Sequence, residues 1–327
     1  MGGVLGITGV TRMAAHAAGA APSPGAAPPA FLGAARSAVS AAGTFTIGGD
    51  LLVNRMGFGA MRITGPGIWG EPKDPAEARQ VLHRALDLGV NFIDTADAYG
   101  PDVSERIIAQ TLAPYPSGLV IATKGGLLRP ESSQWVPDGR PQHLREACEG
   151  SLKRLKLARI DLYQLHHPDP KVPLEDSIGE LARLRQEGKI RHIGVSNFST
   201  DELARARRIV PIVSVQNRYN LADRGSEDVL AVCTREKLAF IPWAPLASGS
   251  AAKLEGAAPA NERAAGKALE QVAATHGATV MQVAIAWLLA RSPVMLPIPG
   301  TSSVAHLEED LAAAKLQLTA SELKLLG

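Results

Sequence analysis

The chain has 327 residues, 46% of them apolar, and a formal net charge of +2. That length allows one large domain or two ordinary ones around a sizeable core, and the near-neutral balance argues against nucleic acid or an anionic membrane surface as a partner. Two scattered cysteines, Cys148 and Cys233, point to reduced thiols and a cytoplasmic setting, and no apolar run is long enough to span a bilayer.

Residues 1–44 are rich in Ala, Gly, Pro and Ser. Such a stretch buries too little apolar surface to offset its ordering entropy. A secretory signal fits poorly, because Arg12 is the only early basic residue and the following stretch is mostly Ala. The expectation is a disordered extension over 1–44, or a start codon placed too far upstream, followed by one folded domain over 45–327.

From there strands and helices alternate. The segment 55–59 (RMGFG) is the first strand candidate. Asp74-Pro75-Ala76-Glu77 marks a helix start, with Asp as N-cap and Pro at the first helical position. Ala78, Val81, Leu82, Ala85 and Leu88 follow at helical spacing, and Gly89 can close the helix. Further strand candidates are NFID (91–94), LVIAT (119–123), IDLYQL (160–165), IRHIGVS (190–196), IVSVQ (212–216), AFIP (239–242) and VMLPI (294–298). Helical patterns cover 142–155 and 173–187, and one long pattern runs over 261–291. Eight largely apolar strands separated by helices predict an α/β fold of the (β/α)8 TIM-barrel type. A doubly wound sheet would want a phosphate-binding glycine turn. Gly65-Pro66-Gly67-Ile68-Trp69-Gly70 has the letters G-x-G-x-x-G, but a further loop precedes the next helix, so this reads as a surface loop.

Barrel chemistry sits at the C-terminal ends of the strands. Asp94 ends the second strand and Tyr99 lies in the loop beyond it. Lys124 ends the third, His166 and His167 follow the fourth, Ser196 and Asn197 the fifth, Gln216 the sixth, and the seventh runs into Trp243. A tyrosine, with a pKa of about 10, is a poor acid at neutral pH. A neighbouring ammonium favours the phenolate, and a carboxylate beside that ammonium holds it in place. Asp94, Lys124 and Tyr99 supply those groups. A rival reading is a metal-dependent barrel hydrolase using Asp94, Asp97, His166, His167 and Asp169. It is disfavoured by the absence of H-x-H after the first strand and by Lys124, Ser196 and Gln216 at the other strand ends, so no metal is expected.

Over residues 44–327 the sequence resembles the aldo-keto reductases, through FIDTADAYG, IATKGG, IDLYQLHHPD, IGVSNFS, VQNRYN and PIPGTSSVAHLEEDL in the family's order. The resemblance implies a carbonyl reductase using NADPH/NADP+, with NADH as the weaker candidate, and a small-molecule aldehyde or ketone as substrate. It implies a catalytic tetrad of Asp94, Tyr99, Lys124 and His166, with Tyr99 donating the proton and Lys124 lowering the phenol pKa. It further implies that Ser196, Asn197 and Gln216 bind the nicotinamide carboxamide and that Trp243 stacks on its ring. Ala244, Pro245, Leu246, Ser248 and Gly249 would follow the pyrophosphate. Pro299, Gly300, Thr301, Ser302, Ser303, His306 and Asp310 would hold the adenosine phosphate. Here the chain departs from many NADPH-using members. No Lys or Arg follows Pro299, His306 stands where arginine is frequent, and Asp310 where asparagine is usual.

Trp69, Trp135 and His167, on or near loops at the same rim, are the candidate substrate contacts. GTSSVAHL resembles the bacterial subgroup that includes pyridoxal reductases, so pyridoxal is one candidate substrate and a bulky ketone another. Some barrels of this family act instead as cofactor-sensing regulatory subunits of membrane channels. That alternative differs in turnover, not in these residues.

Overall fold

The structure, a computed structural model, describes residues 1–3, 38–245 and 260–327. The chain divides into Met1–Ala30 and Phe31–Gly327, and the second unit carries the fold. Of the extension expected over 1–44, residues 4–37 lie outside the described residues. Its last residues belong to the fold: Val39 is fully buried and Ala42, in a 3-10 turn at Ser40–Ala42, nearly so. Both join an apolar cluster with Val81, Leu82 and Leu311, so the packed chain starts earlier than position 45.

A hairpin comes first, β1 (Thr44–Ile47) and β2 (Leu51–Asn54), followed by β3 (Phe58–Gly59), α1 (Pro75–Asp87), β4 (Phe92–Asp94), α2 (Val103–Leu112) and β5 (Val120–Gly125). A second, short hairpin, β6 (Leu127–Leu128) and β7 (Val136–Pro137), precedes α3 (Pro141–Leu155), β8 (Ile160–Leu165), α4 (Leu174–Gln186), β9 (Ile190–Ser196) and α5 (Thr200–Arg207). The chain continues through β10 (Ile212–Gln216), α6 (Glu227–Glu236), β11 (Ala239–Phe240), α7 (Ala260–His276), α8 (Val280–Arg291), α9 (Val304–Ala312) and α10 (Ala320–Leu326). The start of α1 obeys its sequence signal: the Asp74 carboxylate accepts from the backbone N–H of Ala76 and Glu77, each at 2.9 Å.

β3, β4, β5, β8, β9, β10 and β11 form one parallel sheet in that order. The eighth expected strand, 294–298, is not a regular ladder, yet it closes the barrel. Leu296 N–H donates to Phe240 O at 2.8 Å on one side, while Pro297 O and Pro299 O accept from Gly57 and Gly59 on the other, at 3.0 and 3.1 Å. Pro297 and Pro299 carry no N–H, so pairing with β3 can run in one direction only. The seam is tight: a Cβ on Gly300 would stand 2.4 Å from Gly59 O, so only glycine fits.

Two further differences from the sequence reading have local causes. The long helical pattern over 261–291 is two helices, α7 and α8, bent by 98°. Gly277, at φ +58°, breaks it, and Thr279 with Gln282 starts α8 with a capping box. No single helix among the described residues is long and apolar enough to cross a membrane. The β1–β2 hairpin has no counterpart among the expected strands. Ile47, Leu51 and Val53 pack with Phe92, Val120, Leu162 and Leu296 inside the barrel, where they stopper the end opposite the polar rim.

Candidate active site

The strand register decides which side chains meet. Lys124 lies beside Gln164 across β5 and β8, and Gln216 beside Ser196 across β10 and β9. In-register parallel neighbours point to the same face. The Tyr99 loop is tied back to β5: Thr95 N–H donates to Ala122 O at 2.8 Å and Asp97 N–H to Lys124 O at 3.2 Å. Gly100, at φ +105°, turns the chain towards α2.

Lys124 is fully buried. Its ammonium donates to Asp94 Oδ1 at 2.6 Å, to Thr95 O at 2.9 Å and to the Tyr99 hydroxyl at 3.2 Å. The other Asp94 oxygen accepts from Gln164 Nε2 at 3.0 Å and Gln216 Nε2 at 2.8 Å. These bonds leave neither ion of the pair unsatisfied, the condition under which a buried pair is tolerated. Burial pulls the Lys124 pKa down, but Asp94 and Tyr99 more than offset it and the net shift is upward. Lys124 is therefore a cation at all working pH values.

The expected effect of Lys124 on the phenol is present but outweighed. Burial raises the Tyr99 pKa, Lys124 lowers it in part, Asp94 raises it again, and the net shift is upward. Lys124 offsets the effect of burial without reversing it, because the phenolate must leave water to form. His166 packs edge-on to Tyr99 with ring centroids 5.7 Å apart. Burial, then Lys124 and His167, hold its pKa well below the ordinary range, so its imidazole is neutral. Its Nδ1 has no partner. A neutral imidazole beside a phenol can donate one hydrogen bond to an uncharged oxygen without drawing a counter-ion.

These groups form one end of a cavity of about 970 Å3. Its middle is lined by Ser196, Asn197, Gln216, Trp243, Ala244 and Pro245, and its far end by Gly300, Thr301, His306 and Asp310. Asn197, at φ +62°, spends its side chain within the wall. Its Nδ2 donates to His166 O at 3.0 Å, and its Oδ1 accepts from Trp243 Nε1 at 3.0 Å. Ser196 Oγ accepts from the same Nδ2 at 3.1 Å, which leaves its hydroxyl proton and Gln216 Oε1 for an amide ligand. At the far end α9 begins at Ser303 with no side-chain cap, so its first backbone N–H groups are available to a phosphate. Ser302 faces a smaller adjoining pocket with Arg62 and Lys73. Pro299 serves the β3 seam through its carbonyl, and Ser303 donates its N–H to Thr301 Oγ1 at 3.1 Å. Leu246, Ser248 and Gly249 lie outside the described residues. The volume, two polar side chains at Gln216 and Ser196, an indole and an uncapped helix N-terminus are together compatible with a bound dinucleotide.

Of the candidate substrate contacts, Trp135 and His167 line the cavity beside Tyr99. Trp69 does not. It is 36% exposed, its backbone bridges to Gly100, and its ring lies over Arg129 instead. The sequence reading missed Met61, Arg62, Ile68, Met281 and Glu309 in the lining. Met61 and Arg62 come just after the end of β3, so the strand-end rule applied to the first strand would have found them. It also missed the role of Gln164 on Asp94. Among the described residues no three His, Cys, Asp or Glu side chains converge as a metal site. The glycine-rich segment 65–70 is a loop around a 3-10 turn at Pro66–Ile68, well before α1.

Residues 55–326 match the sequence model described as "Aldo/keto reductase family". The chain is 50% identical over 288 residues to an uncharacterized oxidoreductase of Schizosaccharomyces pombe, covering 88% of this chain and 90% of that one. It is 43% identical over 282 residues to pyridoxine 4-dehydrogenase of Escherichia coli, covering 84% and 94%. Among solved structures it is similar to an aldo-keto reductase from Klebsiella pneumoniae in complex with NADPH, with a TM-score of 0.71 and 26% identity over 86% of this chain and 93% of that one.

Proposed function

From membership of the aldo/keto reductase family, to which this chain belongs, we propose that it reduces aldehydes and ketones to alcohols with NADPH, and runs the reverse oxidation under product excess. The observation that carries the reading is the unbroken chain Asp94–Lys124–Tyr99 beside a neutral His166, in the wall of a cavity of about 970 Å3. Gln216, Ser196 and Trp243 would hold the nicotinamide, and the N-terminus of α9 with Thr301 and Ser302 the adenosine phosphate. When bound, the reduced cofactor supplies a hydride to the carbonyl carbon.

The remaining work falls to the protein. Tyr99 donates its proton to the carbonyl oxygen as negative charge builds there. Its raised pKa keeps it protonated until that moment, and the ammonium of Lys124, 3.2 Å away, stabilises the phenolate left behind. Asp94, held by two glutamine amides, keeps Lys124 aimed at the phenol. The neutral His166 donates a hydrogen bond to the same oxygen and so orients the carbonyl.

Trp135, His167 and Tyr99 present ring faces and edges to the substrate end, which supports flat, ring-bearing carbonyls over short aliphatic ones. Pyridoxal is the first candidate, in keeping with the name of the Escherichia coli relative, and a bulky aromatic ketone the second. The test is NADPH oxidation against pyridoxal, 4-nitrobenzaldehyde, a steroid-sized ketone and propanal. Turnover of the ring compounds is expected. Tight NADPH binding without oxidation by any carbonyl would favour a cofactor-sensing barrel, and propanal outrunning the ring compounds would refute the aromatic preference.

A further inference from the structure

Arg129 stands out because it is a buried cation with no counter-ion. It is 7% exposed, and no carboxylate among the described residues pairs with it. Its guanidinium is met by backbone carbonyls alone. Nη1 donates to Ile68 O and Ala98 O, each at 3.2 Å, and Nη2 to Gly67 O at 3.3 Å and to Ser132 O. Nε is buried without a partner. A charge held this way carries a heavy desolvation cost, and a neutral apolar residue would serve a purely structural purpose better.

What the guanidinium organises is the substrate end. It lies flat on Trp135, 3.7 Å from the ring centre, with Trp69 on a second side at 5.5 Å. Trp135 in turn sits edge-to-face with Tyr99 and with His166, both at 6.4 Å. The carbonyl of Ala98, which Arg129 also grips, belongs to the residue just before Tyr99. One side chain thus joins three loops: 67–69 after β3, 98–99 after β4, and the 129–135 turn between β6 and β7.

We infer that Arg129 is a positioning residue that locks the Trp135 ring and the Tyr99 main chain into one wall, and that this wall selects planar, ring-bearing carbonyls. The inference rests on the carbonyl-reductase reading above. The planar fork is essential to it. An ammonium has three donors for these four carbonyls and cannot stack over an indole in the same way. Without the lock Trp135, 37% exposed and on a turn, swings freely and the flat subsite is lost, while a short aldehyde never used it.

The test compares wild type, Arg129→Met and Arg129→Lys with 4-nitrobenzaldehyde and propanal. Steady-state kinetics are read alongside direct binding of 4-nitrobenzaldehyde, measured by quenching of tryptophan fluorescence in the full chain. Both variants are expected to lose some kcat on both aldehydes, through Ala98 and Tyr99. The KM of the ring aldehyde should in addition rise about tenfold relative to that of propanal, with a similar loss in its measured binding, and Arg129→Lys should not rescue it. Should Arg129→Met fail to fold, Arg129→Lys carries the comparison alone. Equal losses on the two aldehydes, full rescue by lysine, or unchanged binding of the ring aldehyde would overturn the inference. Wild type that binds the ring aldehyde more tightly than the variants but reduces neither compound would instead condemn the reductase reading and leave the wall standing.

Discussion

The two ends of the cavity are built on opposite principles. At the catalytic end the two charges that meet the phenol are buried and matched: Lys124 is sealed, Asp94 pairs with it, and two glutamine amides complete the carboxylate. At the far end the charges are poorly matched. Glu309 and Asp310 line the wall, Arg62 is exposed without a salt bridge among the described residues, and Thr301 offers a hydroxyl in place of a positive charge. The chemistry is pre-organised, so it leaves little to adjust when ligands bind. The far end is less constrained, so single substitutions there are expected to tune affinity.

The comparison breaks most sharply at Tyr99. Tyr99→Phe is expected to lower kcat by about a hundredfold or more, with the NADPH dissociation constant nearly unchanged, and Lys124→Met to do similar damage. A Phe variant keeping more than about a tenth of wild-type kcat, a loss below ~1.4 kcal/mol, would show that the proton comes from elsewhere. Next comes the support of Asp94. Gln164→Leu removes a donor 3.0 Å from a buried carboxylate oxygen and should cost ~2 kcal/mol of stability. Chemical denaturation at pH 7 checks this, and an unchanged midpoint would mean that Gln216 alone suffices.

At the far end the effects are smaller and run in the favourable direction. Ser302→Arg should tighten NADPH about tenfold while leaving NADH alone, read by titration of protein fluorescence. A matching gain for NADH would place Ser302 away from the 2′-phosphate. Asp310 gives a signature in pH. Burial, then Glu309, raises its pKa to about 7, against an ordinary value of ~4 in the unfolded chain. The folded form holds the proton more tightly, so Asp310 is harmless at acid pH and increasingly destabilising as pH rises towards 7, with no further change above it. Asp310→Asn removes that penalty. Its Tm advantage over wild type should grow steadily across this window and then level off. A constant offset at every pH would mean that Asp310 titrates normally.

Much of this architecture is legible in the sequence. The strand-end residues Asp94, Lys124, His166, Ser196 and Gln216 reach one rim as their spacing predicts. Strand direction and the position of each strand end are local properties of apolar runs bounded by helix caps such as Asp74-Pro75. The α7–α8 break escapes the sequence reading although its signals, Gly277 and the Thr279–Gln282 capping box, are present, because both flanking stretches keep a helical apolar period. Trp69 departs from its expected place for a different reason. A loop residue's direction depends on what meets it, and Arg129 meets it.

The sequence by itself determined the parallel α/β alternation and the rim at which the carboxylate, ammonium, phenol and imidazole gather, since each arises from spacing along a few residues. Only the tertiary structure decided how the barrel closes and is stoppered, which polar groups balance Asp94, and what surrounds Arg129. Those outcomes are set by pairs far apart in the chain, such as Gly57 with Pro297, Asp94 with Gln216, and Arg129 with Gly67. The same holds for the net direction of the Tyr99 pKa. The sequence named the lysine that lowers it, but the depth of burial that outweighs the lysine is a property of the packed whole.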